Sequence, residues 1–233
     1  MNGGLNSEPT TKAEWRKHTR TLYAQRLSPE LRETASQTII SALREEIERR
    51  APQSIGMYAP LGDEPEISPL LEELRERYQL FLPRVESETE IAFYPYLGVE
   101  ELERTSKYQI LEPTQGKEEA VAPESLELIV VPALAFDKGG YRLGRGKGYY
   151  DRYLAHTQAY RIGVSLDLAP IGRLPRGAWD LPMDLVITPE RSYLGTRFHP
   201  SAFDIEDQGD RQTSIYLQIK NKYSPQIPNL DED

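Results

Sequence analysis

Residues 126–137 read LELIVVPALAFD, and this stretch decides the fold class. Its centre, residues 128–131, is an unbroken run of branched apolar side chains. A strand of this composition is buried on both faces, which is typical of a parallel sheet covered by helices. A glycine-rich polar segment follows it, and loops at the carboxyl ends of strands are where open α/β sheets bind ligands. The stretch therefore predicts a central strand and, directly after it, a functional loop.

On the amino-terminal side, helical and strand patterns alternate along the chain. A first helix is predicted from near Thr11 to about Arg26, and Ser28-Pro29 then has the form of an N-cap followed by a proline at the first helical position. Apolar residues at three- and four-residue spacing carry this second helix to about Arg50. The other predictions here are strands at 54–58, 79–82 (ended by Pro83) and 91–94, a helix capped by Ser68, and a loop at 108–123.

On the carboxyl-terminal side, a helix is predicted to open at 149–156, and strands are predicted at 161–165 and 185–188. From about Arg191 the periodicity fails, so residues 191–233 are expected to form a polar, acidic and mostly unpacked tail, with an alternating stretch at 214–219. Residues 1–11 are expected to be a disordered lead. We therefore predict one α/β domain over residues 12–190, an open, mainly parallel sheet with helices on both faces, of Rossmann-like three-layer form.

The composition excludes several classes of protein. The chain has 28 Lys+Arg against 37 Asp+Glu, a net charge of −9, which argues against a general binder of nucleic acid or anionic membranes. No apolar run approaches the roughly 20 residues that span a bilayer, and the polar start is unlike a secretory signal. The absence of cysteine excludes disulfides, thiolate zinc sites and a cysteine nucleophile. We expect a cytoplasmic protein and, as the default, a monomer.

The segment that carries the chemistry is VPALAFDKGGYRLGRGKGYYDRYL, residues 131–154. Its five glycines let backbone N–H groups approach an anion, and the cations Arg142, Arg145 and Lys147 suit phosphate. A helix beginning near Tyr149 would direct its positive end to the same place. The segment matches neither Gly-x-x-x-x-Gly-Lys-Ser/Thr nor Gly-x-Gly-x-x-Gly. It therefore predicts an anion site of another kind, with a solvated surface hairpin as the alternative.

The string FDKGGYRLGRGKGYYD, residues 136–151, resembles the signature of the 5-formyltetrahydrofolate cyclo-ligases, also called methenyltetrahydrofolate synthetases. The similarity extends over about residues 12–190. Its other segments are Lys12 and Arg16 as an amino-terminal Lys-x-x-x-Arg, MYAPLGDEPE at 57–66 as an acidic turn, FLPRV at 81–85, and WDLPMDLVITPE at 179–190.

The resemblance implies an ATP-dependent ligase that forms a C–N bond in one-carbon folate metabolism. Such an enzyme converts 5-formyltetrahydrofolate to 5,10-methenyltetrahydrofolate, with ADP and phosphate as products. ATP phosphorylates the formamide oxygen, and the bridge nitrogen then attacks the activated carbon so that phosphate departs. A protein that directs this chemistry aligns two substrates and neutralises phosphate charge.

The resemblance also implies roles for individual residues. The implied catalytic residues are Arg145 and Lys147. The implied ATP-binding residues are Lys12, Arg16, Arg142, Leu143, Gly144, Arg145, Gly146, Lys147, Gly148, Tyr149 and Tyr150. The implied folate-binding residues are Ala59, Glu64, Arg145, Tyr149 and Tyr150, and the implied Mg²⁺ ligands are Asp151 and Asp184.

The residues themselves leave alternatives to these roles. Lys12 and Arg16 also fit a solvated helix face, and Asp151 a carboxylate in the first turn of a helix. Three further alternatives stay open: Asp184 as a turn residue, the two tyrosines as core residues, and Asp63 or Glu66 in place of Glu64.

Two segments depart from the family pattern. SLDLAPIG at 165–172 replaces an aromatic-acidic pair and a glutamine, and Trp179 stands where histidine is common. Two other functions therefore stay open. One is a sugar-phosphate isomerase-like enzyme, which needs an anion loop but no ATP, and the other is a non-catalytic folate-binding relative.

Overall fold

The computed structural model describes residues 9–104, 110–166 and 171–197. Its helices are α1, Lys12–Arg26; α2, Pro29–Arg50; α3, Ser68–Leu74; and α4, Tyr149–Leu154. Its strands are β1, Ser54–Gly56; β2, Gln79–Val85; β3, Ile91–Pro95; β4, Leu102–Arg104; β5, Leu111–Pro113; β6, Leu128–Pro132; β7, Ala135–Phe136; β8, Arg142–Leu143; β9, Tyr160–Val164; β10, Leu185–Ile187; and β11, Ser192–Leu194.

The main sheet of the described chain has the strand order β11-β10-β9-β6-β1-β2-β3. The five inner strands are parallel, and both edge strands are antiparallel to their neighbours. The predicted fold class, an open and mainly parallel α/β sheet, is therefore confirmed. Among the described residues, no helix has the length and apolar character needed to cross a bilayer.

Strand β6 lies in the middle of this sheet, and every one of its residues is buried. Leu128 and Val130 pack into the core on the face covered by α2 and α3. Ile129 and Val131 pack on the opposite face, with residues of α4 and of the β7–β8 hairpin. The strand thus alternates between two apolar layers, as its unbroken apolar run predicted.

Helix α1 begins and ends where the sequence predicted. Thr11 and Glu14 form a reciprocal capping box at its start. Trp15 is 8% exposed and packs against Leu134 and Leu143 of the β7–β8 region. This contact fixes α1 beside the glycine-rich segment, so that the polar residues next to Trp15 reach the loop.

Strand β2 does not end at Pro83 as predicted. The missing N–H of this proline costs no hydrogen bond, because β1 no longer pairs with β2 at that position. The carbonyl of Phe81 accepts the N–H of Met57 at 2.7 Å, so the odd-numbered positions of β2 direct their polar groups towards β1. The paired part of β1 ends at Gly56, opposite Phe81. Pro83 lies beyond that end, and a proline there removes no ladder hydrogen bond.

Three other predictions need correction. Helix α3 has Ile67 at its N-cap with no side-chain cap, so Ser68 is its first residue rather than its cap. The predicted loop at 108–123 includes β5, which pairs with β4. The predicted tail at 191–233 includes β11, which pairs with β10 as an edge strand. The stretch at 214–219 and most of the predicted lead lie outside the described residues.

The chain after β11 also packs against the domain. Arg197 donates from Nη1 to Asp184 Oδ2 at 2.7 Å and to the Ala159 carbonyl at 2.9 Å, and Asp184 is fully buried. We predict that deleting residues 195–233 destabilises the protein by about 3 kcal/mol, because it removes the arginine that pairs with a buried carboxylate. Urea unfolding checks this, with a chain ending at Arg197 as the control. Equal stability of the two truncated chains would show that the ion pair contributes nothing.

Candidate functional site

The glycine-rich segment folds back over the sheet as the β7–β8 hairpin. The buried carboxylate of Asp137 shapes its turn by accepting the N–H groups of Gly139 at 2.9 Å and Tyr141 at 3.0 Å. The other oxygen of Asp137 accepts a hydrogen bond from Arg176 at 2.8 Å. Sequence reasoning assigned Asp137 no role. Its position in the string FDKGG, two residues before Gly139, is the signal of a turn stabilised by its own side chain.

The returning strand leads into the exposed part of the segment, residues 144–149, which we call the glycine loop. Gly146 has φ +104° and Gly148 has φ +69°, both in the left-handed region of backbone conformation that favours glycine. The guanidinium of Arg16 lies against Gly146, since a Cβ built there would be 3.3 Å from its Cζ. The loop therefore requires its glycines both for its path and for the approach of a cation.

One side of the glycine loop faces a cavity of about 390 Å³, which we call the inner cavity. It lies at the carboxyl ends of β1 and β6. Its lining includes Tyr58, Ala59, Glu64, Pro83, Arg142, Gly144, Arg145, Lys147, Gly148, Tyr149 and Tyr150. All five residues that the sequence predicted as folate contacts are in this set, so the structure brings them together.

The other side of the glycine loop faces a larger space of about 1120 Å³, which we call the outer groove. Its lining includes Glu90, Gly146, Lys147, Gly148, Tyr149, Asp151, Arg152, His156 and Trp179. Lys147, Gly148 and Tyr149 line both spaces. The loop is therefore a thin partition between two ligand-sized spaces.

Lys12 and Arg16 of α1 reach this region instead of forming a purely solvated face. Arg16 donates from Nε to the carbonyl of Gly144 at 2.8 Å. Lys12 donates from Nζ to Asp180 Oδ1 at 2.6 Å. Asp180 was not among the predicted site residues. Its partner is 168 positions away in sequence, so no local pattern indicated this contact.

Glu64 and Arg145 form an ion pair at the inner cavity. Arg145 Nε donates to Glu64 Oε1 at 3.1 Å, and Glu64 Oε2 accepts the N–H of Leu61 at 3.0 Å. Burial raises the pKa of Glu64 to about 7, against the opposing effects of the Leu61 hydrogen bond and of the Arg32 charge. Burial also lowers the pKa of Arg145 to about 10. Glu64 is therefore a carboxylate whose charge changes near neutral pH.

The two neighbouring acids have different surroundings. Asp63 forms an ion pair with Arg145 but does not line the inner cavity, and Glu66 accepts the N–H of Ser68 at 3.1 Å. Of the three acids in the turn, Glu64 is the one in the cavity wall. The geometry thus favours Glu64 over the alternatives that the sequence left open.

The remaining cations of the segment differ in how they are held. Arg142 donates from Nη2 to Asp151 Oδ2 at 2.6 Å, and its buried Nε has no hydrogen-bond partner among the described residues. Lys147 is more exposed than Arg142, and its Nζ lies 3.8 Å from Glu88 Oε2. Leu143 is fully buried beside Trp15, and its carbonyl accepts the N–H of Leu134 at 3.0 Å. Leu143 therefore supports the loop and lines neither space, contrary to its predicted place in the ATP site.

The structure does not bring Asp184 to Asp151. Asp184 precedes β10. Its Oδ2 accepts the N–H of Arg161, at the start of β9, at 2.8 Å, and the same oxygen pairs with Arg197. This is the amino-terminal edge of the sheet, whereas both ligand-sized spaces lie along the glycine loop. Asp184 Oδ1 is buried without a partner in the described chain, but this fully buried carboxylate lines neither space along the glycine loop.

The side chains present can provide only part of a metal site. Within residues 9–104, 110–166 and 171–197, no three acidic or histidine side chains come together in a way that could hold a metal ion. Magnesium bound to a nucleotide commonly uses one or two protein carboxylates and phosphate oxygens. Asp151 in the outer groove fits that requirement, and Asp184 does not.

Comparison with known proteins identifies the family. The family model described as the 5-formyltetrahydrofolate cyclo-ligase family matches residues 9–189. The 5-formyltetrahydrofolate cyclo-ligase of Escherichia coli K12 is 30% identical over 144 residues, which cover 59% of this chain and 79% of that protein. The mouse 5-formyltetrahydrofolate cyclo-ligase is 34% identical over 154 residues, which cover 57% of this chain and 71% of that protein.

Two solved structures share the fold. The NMR structure of the Aquifex aeolicus 5,10-methenyltetrahydrofolate synthetase has a TM-score of 0.70 and 35% identity, covering 85% of this chain and 98% of that one. A 5,10-methenyltetrahydrofolate synthetase from Mycoplasma pneumoniae has a TM-score of 0.62 and 26% identity, covering 77% and 99%. The resemblance carried by the glycine-rich string is therefore confirmed over most of the chain.

Proposed function

The chain belongs to the 5-formyltetrahydrofolate cyclo-ligase family, and we propose that it converts 5-formyltetrahydrofolate and ATP to 5,10-methenyltetrahydrofolate, ADP and phosphate. The observation that carries the proposal is the glycine loop between two spaces. A reaction that joins a folate to a phosphoryl group needs two ligands that meet at one boundary. A folate in the inner cavity and a nucleotide in the outer groove would meet across Lys147 and Gly148.

The inner cavity suits the pterin end of a folate. An ionised Glu64 can accept two neighbouring N–H donors of such a ring. The rings of Tyr149 and Tyr150 offer flat apolar surfaces, and Ala59 leaves room at the end of β1. Because the cavity combines apolar surface with a few charged side chains, it would orient the ring as well as bind it.

The cations along the glycine loop suit the nucleotide. Arg145 and Lys147 line the inner cavity and can neutralise the phosphoryl group as it passes between the substrates. Arg142 also lines the inner cavity, and the loop glycines allow close approach of the phosphates. Lys12 and Arg16 would hold the nucleotide from the α1 side.

The proposed reaction needs no covalent nucleophile from the protein. The formamide oxygen attacks the γ-phosphorus and ADP leaves, which forms an O–P bond on the folate. The bridge nitrogen then attacks the activated carbon, the C–O bond breaks, and phosphate leaves as that nitrogen loses its proton. Arg145 donates from Nε to Glu64 in the described conformation, so a folate that occupies Glu64 would free this N–H for the phosphoryl group while Nη2 stays paired with Asp63.

We propose that Asp151 holds Mg²⁺ on the nucleotide phosphates, where the cation would supply further charge neutralisation. Replacing Asp151 by asparagine is expected to raise the magnesium concentration for half-maximal activity at least about tenfold, a loss seen even for residues that only support metal ligands. Asp184→Asn is the control, and its magnesium titration should match that of the wild type. A shift in D184N without one in D151N would reverse the assignment.

The overall function is tested by incubating the protein with 5-formyltetrahydrofolate, with and without ATP. We expect methenyl absorbance and phosphate release in equal amounts, and only when ATP is present. Turnover of a sugar phosphate without ATP would favour the isomerase-like alternative, and folate binding without product would favour the non-catalytic one. The monomeric state and the cytoplasmic location stay predictions.

A further inference from the structure

The outer groove contains a large aromatic side chain that the reaction chemistry does not use. Trp179 is 73% exposed, whereas Trp15 is 8% exposed and packed in the core. An indole this exposed buries little apolar surface and so contributes little to folding. It lines the same groove as Gly146 and Lys147 of the glycine loop.

We propose that Trp179 is a stacking platform for the base of the bound nucleotide. The inference rests on the proposed function, because it needs a nucleotide whose phosphates lie at the glycine loop. Aromatic side chains bind bases through their π-faces, without requiring a set of hydrogen bonds for each base. The ligand class is therefore a nucleoside triphosphate, with the base on Trp179 and the phosphates on the loop cations.

A tight turn holds the indole in place. Asp180 Oδ2 accepts the N–H of Gly177 at 2.6 Å, and the N–H of Asp180 donates to the Gly177 carbonyl at 3.2 Å. The indole lies against Gly177, where an added Cβ would come within 3.0 Å of its Cε2 atom. The platform is thus supported by backbone on one side while most of its surface stays open to the groove.

The same turn connects the platform to the proposed nucleotide site. Asp180 uses its other oxygen, Oδ1, to accept the 2.6 Å hydrogen bond from Lys12. The residue beside the platform therefore also positions a cation proposed to bind the nucleotide. One conformation of this turn would therefore position both Trp179, which would stack on the base, and Lys12, which is proposed to bind the nucleotide.

A protein-docking role for Trp179 is less well supported. The groove lining mixes apolar side chains such as Val121 and Leu181 with charged ones such as Lys147 and Arg152. It also includes the glycine loop, whose backbone and cation suit a phosphate group better than a protein side chain. The chemistry of the groove matches a ligand that is charged at one end and aromatic at the other.

Indole fluorescence tests the proposal directly, because the chain has two tryptophans. In a Trp15→Phe background, the signal comes from Trp179 alone. We expect ATP with magnesium to quench this signal and inorganic triphosphate, which has no base, to leave it nearly unchanged. Equal quenching by both compounds, or ATP binding by calorimetry without quenching, would overturn the proposal.

Kinetics gives a second readout in the full chain. Trp179→Ala is expected to raise the KM for ATP roughly tenfold, within the range for loss of one base–aromatic stack, with kcat and the KM for folate within about twofold of wild type. Trp179→Phe should recover most of the loss. If wild type uses ATP and W179A has an unchanged KM for it, only this inference fails; if wild type does not bind ATP, the proposed function fails with it.

Discussion

Replacing Arg145 by alanine is expected to lower kcat roughly 100- to 1,000-fold, the loss typical of one well-placed donor to developing charge. Arg145 lines the inner cavity and contacts the carboxylate proposed to bind folate. A guanidinium in that place can follow the phosphoryl group as it moves to the formamide oxygen. Since this interaction would be made mainly in the transition state, kcat should fall more than the two substrate KM values rise.

The measurement is steady-state kinetics of methenyl formation with both substrates varied, after a check of folding by thermal unfolding. Arg145→Lys should recover part of the rate, because lysine keeps the charge but loses the planar fork. Arg20→Ala is the matched control: Arg20 also lies near Asp63, at 3.6 Å, but does not line the inner cavity. Equal losses in R145A and R20A would mean that only the general positive charge matters.

The parts of the fold that the sequence predicted well are those set by local chemistry. The N-caps Thr11 and Ser28 mark the starts of α1 and α2 through hydrogen bonds made within four residues. The apolar run of β6 predicts a strand buried on both faces because each side of the strand must contact an apolar layer. The glycine loop was predicted for the same reason, because its glycines and cations lie in one short stretch of sequence.

The parts that the sequence missed depend on partners far along the chain. Whether Pro83 ends a strand depends on where β1 stops pairing, and β11 exists because β10 offers it an edge. Asp180 and Asp184 lie in one short segment, yet their partners separate them to different edges of the molecule. Spacing alone cannot show which of two nearby acids faces a ligand.

Within the site, too, the sequence could not show which acidic residue would face the ligand. The sequence supplied three candidate acids in one turn, and each is compatible with a folate contact. Burial in the cavity wall, which only the folded chain provides, distinguishes Glu64 from Asp63. The same burial shifts the pKa of Glu64, so the fold selects the residue and adjusts its charge together.

Replacing Glu64 by glutamine is therefore expected to raise the KM for folate roughly 10- to 100-fold, the range for loss of hydrogen bonds to a charged group. The ionised carboxylate accepts N–H donors, and the protonated one loses part of that capacity. Since the pKa of Glu64 is about 7, kcat/KM for folate in the wild type should rise as pH increases through 7. In E64Q that rise should be absent.

Stability should respond to the same group with the opposite sign. The native state holds the Glu64 proton more tightly than the unfolded chain, whose ordinary pKa is 4.5, so the contribution is complete below 4.5 and is lost as pH rises towards 7. Urea unfolding of the wild type and E64Q across this interval should show the smaller decline in the variant. Asp63→Asn is the control for both experiments, because Asp63 pairs with Arg145 outside the cavity lining. A larger KM effect in D63N than in E64Q would move the folate contact one residue earlier.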